Sequence, residues 1–390
     1  MSTRKNIIKN QLLNSTLSLA KTMTGRERLE ITMRRGQADR VPARPPNLPL
    51  NAPATPEQKH RFAAAFNAIN DPMDSWGLEG DTGFFYTAHP DFHYREYRRP
   101  STYENYEELV QELDVPNGRL TGIELVSPGK SSYQHKYMIG CPEEAELLLS
   151  IPYKMPRPSP QAYFDKVAVM GDKGIVIVGM VDVIYNVYRL LGSELFALWS
   201  VDHRDILHAM CDFFCRRQAD AVKYCLSQGM GPYFGWVGPE ICLPPLMGPN
   251  DFYDFVVPYD RRLTDIIHDA GGLVWAHSHG SIDKVLEGFV DAGVDCLQPL
   301  EPPPYGDLIL ADAKRRVGGK MCLEGNFECY EFDNFSPEMM RERVHQAIID
   351  AAQGGGFIVA TASGPTEPMT PQSVATLLSF VEAVRDYGKY

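Results

Sequence analysis

The second half of the chain alternates short apolar runs with longer stretches of helical periodicity. From residue 175 onward, each apolar run is short and rich in β-branched residues, which is typical of a buried strand. Continuous apolar strands indicate a sheet with both faces covered, as in parallel sheets. The six predicted strands are residues 175–181, 232–238, 273–277, 294–300, 320–326 and 357–362.

Helical sequence follows each of these strands, and several of the predicted helices end at glycines. The predicted helices are residues 205–229, 250–270, 281–292, 307–317, 336–353 and 371–387. Strand–helix alternation builds βα units, and residues 40–50 and 78–90 are candidates for two further strands. Eight strands predict a (β/α)8 TIM-type barrel. A doubly wound open sheet is the alternative, but no GxGxxG or GxxxxGK[ST] follows any strand.

The first half of the chain is less regular. Residues 1–23 are polar and predict an N-terminal arm, which leaves 24–390 as one barrel domain. A helix is expected from Thr24 or Gly25 to Arg35, and the proline-rich stretch 39–56 is expected to be extended. Residues 76–137, rich in aromatic residues, Gly and Thr, predict short strands with a hairpin or lid. The aromatic part is expected either to cover the barrel mouth and bind an apolar ligand or simply to pack: Trp76, Phe84, Phe85, Tyr86, His89, Phe92, His93 and Tyr94.

Composition narrows the function classes. The 390 residues are 44% hydrophobic and 23% charged, which is globular, and the net charge of −12 argues against a general nucleic-acid binder. No apolar run is long enough to span a bilayer, and the N-terminus lacks the apolar core of a signal peptide. The eight cysteines form no CxxC pair, so free thiols in a reducing cytoplasm are expected.

Polar and titratable residues gather where the predicted strands end. Catalytic groups of barrel enzymes lie at the carboxyl ends of the strands. The candidates at these ends are Asp182, Glu240, His277, His279, Glu301, Glu324, Asn326 and the stretch from Thr361 to Ser363.

The strongest signal is His277-Ser278-His279. Alternate residues of a strand face the same side, so the two imidazoles are expected to lie close together. Such a pair suits a divalent transition metal, with Glu240 as the best-placed third ligand. A metal-free site for a polar substrate is a second interpretation, and hydrogen bonding to loop backbone is a third.

The other candidates each carry an alternative interpretation. Glu240 is expected to ligate a metal or to cap the next helix, and Glu301, before three prolines, to serve the site or a loop salt bridge. Asp182 is expected to contact substrate or to be a helix N-cap. Glu324 and Asn326 alternate with Cys322, which predicts one shared face; that placement would put the polar pair above Cys322 in the barrel interior.

Several segments resemble the uroporphyrinogen decarboxylase superfamily, which includes the decarboxylase and zinc- and cobalamin-linked methyltransferases. The resemblance covers about residues 24–390, is strongest after 230, and implies a (β/α)8 barrel. The segments are TGRERLEITMRRGQADRVPA (24–43), GPE (238–240), FYDFVVPYDRRLTDIIHDAGG (252–272), HSHG (277–280), GVDCLQPLEPPP (293–304), CLEGNF (322–327) and TPQSVATLLSFVEAVRDYG (370–388).

Departures from the family patterns favour the methyltransferase branch over porphyrinogen decarboxylation, but with changed ligands. Arg44 begins the stretch that replaces the RQAGRY-like segment of the decarboxylases. The methyltransferases resembled here bind zinc through His-x-Cys and a later Cys. His277 matches the first ligand, whereas His279 and Ser363 stand in the two cysteine positions.

The choice of zinc, the methyl carrier and the partners are implied only by the resemblance. It implies a divalent metal, zinc first, with a corrinoid or tetrahydrofolate as the methyl carrier. The DxHxxG motif of corrinoid domains does not occur, since Glu96 stands where Asp91-Phe92-His93 would require Gly, so a corrinoid is expected on a separate protein. A homodimer is expected from the decarboxylase relatives.

Three hypotheses follow. The first is a demethylase-type methyltransferase with a metal on His277, His279 and Glu240. In it, the polar end of a small methylated substrate is bound by Glu301, Glu324 and Asn326, with Asp182, Ser363 and Arg44 as further contacts. The second is a decarboxylase or lyase, in which the imidazoles donate protons and Arg44 grips a carboxylate. The third is a non-catalytic ligand-binding barrel.

Overall fold

The computed structural model describes residues 22–127, 129 and 131–390. The predicted N-terminal arm, residues 1–23, therefore lies outside the described residues except for its last two. Within the described part, no helix is long and apolar enough to cross a membrane. All eight cysteines fall in this part and are free thiols, six of them buried.

Eight parallel strands form the central sheet, in the order β1-β12-β11-β10-β9-β8-β7-β2. Strand β1 meets the segment just before β2 through a bridge between Ala43 and Asn70, and the Asp71 amide donates to the Ala43 carbonyl at 2.9 Å. The sheet thus closes on itself, and the predicted (β/α)8 barrel is confirmed. The strands are β1 Ala43–Arg44, β2 Met73–Gly77, β7 Ile175–Val181, β8 Tyr233–Val237, β9 Leu273–His277, β10 Cys296–Gln298, β11 Cys322–Phe327 and β12 Phe357–Thr361.

Helices surround the sheet, and polar N-caps start several of them. Thr24, Thr55, Ser336 and Thr370 each accept the backbone N–H three residues on, which satisfies a donor that the helix leaves free. The helices are α1 Gly25–Met33, α2 Pro56–Ile69, α3 Leu78–Thr82, α4 Pro142–Leu149, α5 Gln161–Met170, α6 Val183–Asp202, α7 Arg204–Ser227, α8 Pro249–Phe255, α9 Val257–Asp269, α10 Leu286–Asp291, α11 Leu310–Val317, α12 Cys329–Asn334, α13 Pro337–Ala351 and α14 Pro371–Tyr387.

The barrel has two apolar layers, as expected for strands buried on both faces. One side of each strand packs against the helices in a large cluster. The other side fills the interior with a smaller cluster that includes Ile177, Trp275, Cys296, Cys322 and Ile358. Cys322 therefore packs inside the barrel below Glu324, as predicted.

A separate antiparallel sheet is inserted between β2 and β7, in the order β3-β4-β5-β6. It fulfils the prediction of short strands and a hairpin in this part of the chain. Its strands are β3 His93–Pro100, β4 Glu107–Val115, β5 Gly118–Val126 and β6 Tyr133–Lys136.

One predicted strand is wrong. Residues 78–90 begin with helix α3, and the second barrel strand lies earlier, at Met73–Gly77. Its sequence, MDSWG, carries only one buried side chain, Trp76, so no apolar pattern marks it. Pairing with β7 along its whole length is what makes it a strand.

Candidate functional site at the barrel mouth

Two histidines stand at the carboxyl end of β9. His277 is the last residue of the strand and His279 follows two residues later. Their ring centroids lie 4.5 Å apart with the ring planes nearly perpendicular, at 84°. The His-x-His spacing thus places both imidazoles together at the mouth of the barrel, as the sequence predicts.

Each imidazole is held through Nδ1. His277 Nδ1 bonds Oε1 of Gln298, which is its register partner on β10, and Gln298 Nε2 donates to the Thr361 carbonyl at 3.1 Å. His279 Nδ1 lies 2.6 Å from Oε1 of Glu301. Glu301 is fixed in turn, because its Oε2 accepts the Gly280 amide at 2.5 Å. Within the described residues neither Nε2 has a hydrogen-bond partner, so both Nε2 atoms are available to a ligand.

The two imidazoles have pKa values shifted in opposite directions. Burial lowers the pKa of His277, which favours its neutral form. The hydrogen bond to Glu301 raises the pKa of His279, whose side chain is 43% exposed. Burial tends to raise the pKa of Glu301, but the His279 contact and the Gly280 amide outweigh it, so this pKa is lowered. One neutral and one readily protonated imidazole therefore lie side by side, a pattern found in acid–base sites.

Two further carboxylates act on His279 electrostatically. Glu240 follows β8 in the short 3-10 turn Pro239–Cys242, and Glu328 follows β11. Glu240 Oε2 and Glu328 Oε1 are buried, and neither has a hydrogen-bond partner in the described structure. Burial raises the pKa of Glu240, and burial together with Glu301 raises that of Glu328 to about 7. The mouth thus carries more carboxylates than cationic partners.

Below the imidazoles, Glu324 is fully buried in a network with its own cation. Arg44 forms an ion pair with Glu324 Oε1, and Trp275 Nε1 donates to Oε2 at 3.0 Å. The Arg44 guanidinium also lies 5.7 Å from the centre of the Trp275 ring. A cavity of about 510 Å3 opens beside this network, bounded by residues of β2, β7 and β8.

The remaining predicted site residues lie apart from the imidazole pair. Asp182 is buried as the N-cap of α6, where it accepts the Ile184 amide at 2.9 Å. Asn326 is buried, and its Oδ1 and carbonyl oxygen both accept from Arg343 of α13, at 2.8 and 2.7 Å. Ser363 is exposed in the bend after β12, without a contact to either imidazole among the described residues.

Of the three predicted metal ligands, the structure brings two together, His277 and His279, without a third described ligand close enough to complete a site. Among residues 22–127, 129 and 131–390, no three His, Cys, Asp or Glu side chains converge closely enough to hold a metal ion. The imidazoles themselves suit the role, since ligating histidines commonly donate their other ring N–H to an amide or carboxylate oxygen. A metal on His277, His279 and Glu240 stays a prediction.

Two residues of the mouth, Gln298 and Glu328, are not predicted from the sequence. Gln298 ends β10 as His277 ends β9, so the strand-end rule applied evenly would include it. Glu328 lies beyond β11 and pairs with Glu331, whose Oε2 accepts the Glu328 amide at 2.7 Å. Its E-x-x-E spacing is typical of a helix start, so the sequence pattern indicates a capping role and not a place at the mouth.

The family model and the curated relatives that match this chain point to one family. The family model described as uroporphyrinogen decarboxylase (URO-D) matches residues 192–387. The uroporphyrinogen decarboxylase of Xanthomonas oryzae pv. oryzae is 26% identical over 157 residues, which cover 37% of this chain and 40% of that relative. That of Actinobacillus pleuropneumoniae serotype 5b is 25% identical over 204 residues, covering 47% and 49%. The matches thus span less than half the length of either relative.

A solved structure extends the likeness of fold to nearly the whole chain. A methyltransferase from Methanosarcina mazei aligns with a TM-score of 0.56 over 93% of this chain and 98% of that one. The two sequences are 14% identical in this alignment, so the likeness concerns the fold alone.

Proposed function

The chain belongs to the uroporphyrinogen decarboxylase family, and we propose that it is an enzyme of this family that acts as a methyltransferase. It would move a methyl group from a small methylated substrate to a carrier, either a corrinoid on another protein or tetrahydrofolate. The observation that carries the proposal is the imidazole pair, in which both Nδ1 atoms are held and both Nε2 atoms remain available.

In this proposal, the two imidazoles act as acid–base groups during nucleophilic substitution at the methyl carbon. The methyl group passes to the nucleophilic acceptor, and the bonding electron pair stays on the heteroatom it leaves. That heteroatom needs a proton, which His279 can donate from Nε2 because Glu301 favours its protonated form. Neutral His277 can accept a hydrogen bond at Nε2 from the substrate and orient it.

The charges at the site favour methyl transfer over the decarboxylase alternative. A carboxylated substrate needs a cation to hold it, and Arg44 is the candidate from the sequence. However, Arg44 is already matched by the buried Glu324. Glu301, whose pKa is lowered, holds a negative charge beside His279, and Glu240 and Glu328 add to it when they are ionised, so a carboxylated substrate at the mouth would be repelled.

A divalent metal, zinc first, is a separate claim, because it would bind the same two Nε2 atoms and replace the proton on His279 as the acid at the site. When bound, it would supply a Lewis acid next to the leaving heteroatom. Elemental analysis of protein purified without chelator tests it. We expect about one equivalent of metal per chain in the parent protein and less in the His277→Ala and His279→Ala proteins. Full activity in chelator, with negligible metal, would refute the metal claim. The proposed homodimer is a further separate claim, checked by sedimentation.

The reaction is tested with donors carrying a 13C-labelled methyl group: methylated amines, methyl ethers and methyl thioethers. Each is incubated with cob(I)alamin or tetrahydrofolate, and 13C NMR follows the methyl signal to the acceptor. We expect transfer from one donor class, lowered at least a hundredfold in His277→Ala and His279→Ala proteins. His60→Ala, an exposed histidine on α2, is the matched control.

The same preparation is offered carboxylated substrates, including uroporphyrinogen, and carbon dioxide release is measured. Carbon dioxide release that depends on His279, without methyl transfer from any donor, would replace the proposal with the decarboxylase alternative. If the parent protein neither transfers a methyl group nor releases carbon dioxide with any of these substrates, the non-catalytic barrel would be supported.

A further inference from the structure

A second cavity lies outside the barrel, beneath the inserted sheet of strands β3–β6. Its volume is about 530 Å3, which is within the range of small-molecule sites. It is bounded by the sheet, by the loop after α3 and by the middle of α6. It shares no lining residue with the cavity inside the barrel.

A row of polar side chains from all four strands faces this cavity. Glu96 of β3 pairs in register with Gln111 of β4, and Glu124 of β5 pairs with Gln134 of β6. Gly122 on β5 stands opposite Gln111, and an added Cβ there would lie only 3.1 Å from Gln111 Oε1. The missing side chain keeps space open in the middle of the row.

The two carboxylates of this row lack a cation. Glu96 accepts from the Tyr94 hydroxyl and from Gln111 Nε2 at 3.1 Å, both neutral donors. Within the described residues, neither Glu96 nor Glu124 forms an ion pair. The one cationic side chain that lines the cavity, Arg189, is bound to Glu79 at 2.5 Å. The cavity therefore holds two uncompensated negative charges.

Aromatic rings line the rest of the cavity. Phe92 and Tyr94 come from the start of the inserted sheet, Tyr188 from α6, and Tyr137 from the segment after β6. Burial and the bond to Glu96 raise the pKa of Tyr94, so its ring stays neutral and its hydroxyl stays a donor. Neutral aromatic faces attract organic cations, and carboxylates nearby strengthen that attraction.

We propose that this cavity is a binding site for an organic cation of the substituted-ammonium class. The aromatic rings would contact the alkyl groups, Glu96 and Glu124 would match the charge, and the two glutamines would bond polar substituents. The site is independent of the chemistry proposed for the barrel mouth, since it uses none of those residues.

The test compares two probes of the same shape, choline and its neutral isostere 3,3-dimethylbutan-1-ol, by isothermal titration calorimetry on the whole protein. Choline is expected to bind at least tenfold more tightly. Glu96→Gln/Glu124→Gln should weaken choline binding at least tenfold. Glu108→Gln is the matched control, because Glu108 lies on the other face of β4, paired with Arg99, and should leave the affinity unchanged.

Equal affinity for the two probes, or unchanged choline binding in the double variant, would overturn the proposal. Displacement of choline by an equal concentration of Ca2+ would do so too, because it would make the site a metal site. Loss of choline binding in His277→Ala protein would place choline at the barrel mouth and equally overturn it. If the double variant does not fold, Glu124→Gln and Tyr188→Leu are used singly, with the same tenfold criterion.

Discussion

At the scale of the residue, the buried ion pair inside the barrel matters more for the stability of the fold than the exposed ion pairs do. Glu324 has no solvent exposure, and its carboxylate is held by Arg44 and the Trp275 indole. Taking a charge out of water is tolerable only when partners replace the lost hydration. Arg44 thus has a structural task that competes with any task of binding an anionic substrate.

Removing the cation alone should be costly. Arg44→Gln leaves Glu324 buried with only neutral donors, so we expect the free energy of unfolding to fall by about 3 kcal/mol. The double variant Arg44→Gln/Glu324→Gln should recover most of this loss, because no buried charge remains. Urea unfolding at pH 7 measures both. A single variant as stable as the parent would contradict this assignment.

The residue scale also shows where sequence reasoning ends. His277 and His279 could be placed because a strand fixes the direction of alternate side chains, and Glu301 because it directly follows a strand. The partnership of His277 with Gln298 depends on the register between two strands far apart in sequence. The capture of Asn326 by Arg343 depends on where helix α13 packs. Neither contact can be predicted from a local sequence pattern.

At the scale of the element, helix α6 contains a break that the inserted sheet uses. Gly192 has φ 73° and ψ 170°, a conformation essentially limited to glycine. The break leaves the Leu190 carbonyl free to accept the Ile139 amide at 3.1 Å, and the Tyr137 ring packs directly against Gly192. This glycine joins the barrel to the segment that follows the inserted sheet.

A side chain at this break should be destabilising. The Cβ of Gly192→Ala would lie 2.2 Å from Tyr137, and its backbone would be strained by about 1–3 kcal/mol. Thermal unfolding is expected to show a lower midpoint. Gly80→Ala is the control, since nothing lies within 4 Å of its Cβ and its helical site favours alanine. Equal midpoints for the two variants would rule out this role of Gly192.

A second element-scale contact ties helix α9 to the barrel and depends on pH. His268 Nε2 lies 2.8 Å from Asp295 Oδ2, which also accepts the Val274 amide at 2.8 Å. The hydrogen bond to Asp295 raises the pKa of His268. A raised histidine pKa stabilises the fold below the unfolded value of about 6.5, and this stabilisation is lost as pH rises through the folded value.

His268→Gln should therefore lower the free energy of unfolding more at pH 5.5 than at pH 9. Urea unfolding at the two pH values gives the comparison, and His60→Gln, an exposed histidine, should show no such difference. A loss that is the same at both pH values would show that His268 contributes through packing rather than charge.

The order of elements was largely predictable, since buried parallel strands are short apolar runs and helix ends are marked by caps. Strand β7 lies where the pattern placed it, at Ile175–Val181, and β9 at Leu273–His277. Strand β2 could not be found in this way, because Asp74 and Ser75 are exposed and only the edge of β7 makes this segment extended. Tertiary pairing overrides weak local preference at this position.

At the scale of the whole molecule, barrel closure rests on a short seam between β1 and β2. In the described structure, one bridge spans this seam, from Ala43 of β1 to Asn70, three residues before β2 begins. Beside it, the buried Asp71 accepts from Arg28 at 2.5 Å and from Arg40 at 2.8 Å. This charge cluster, not a long run of backbone hydrogen bonds, holds the two ends of the sheet together.

Asp71→Ala should therefore weaken the entire barrel. It leaves the Arg28 guanidinium, 5% exposed, without its closest carboxylate, and a broken buried pair costs about 3–5 kcal/mol. Urea unfolding should register this loss, and limited proteolysis should cut first between residues 34 and 70, beside the opened seam. Asp172→Ala is the matched control, because Asp172 is 72% exposed beside Arg26 and such pairs contribute less than about 1 kcal/mol. If both variants unfold alike and proteolysis begins elsewhere, closure does not depend on Asp71.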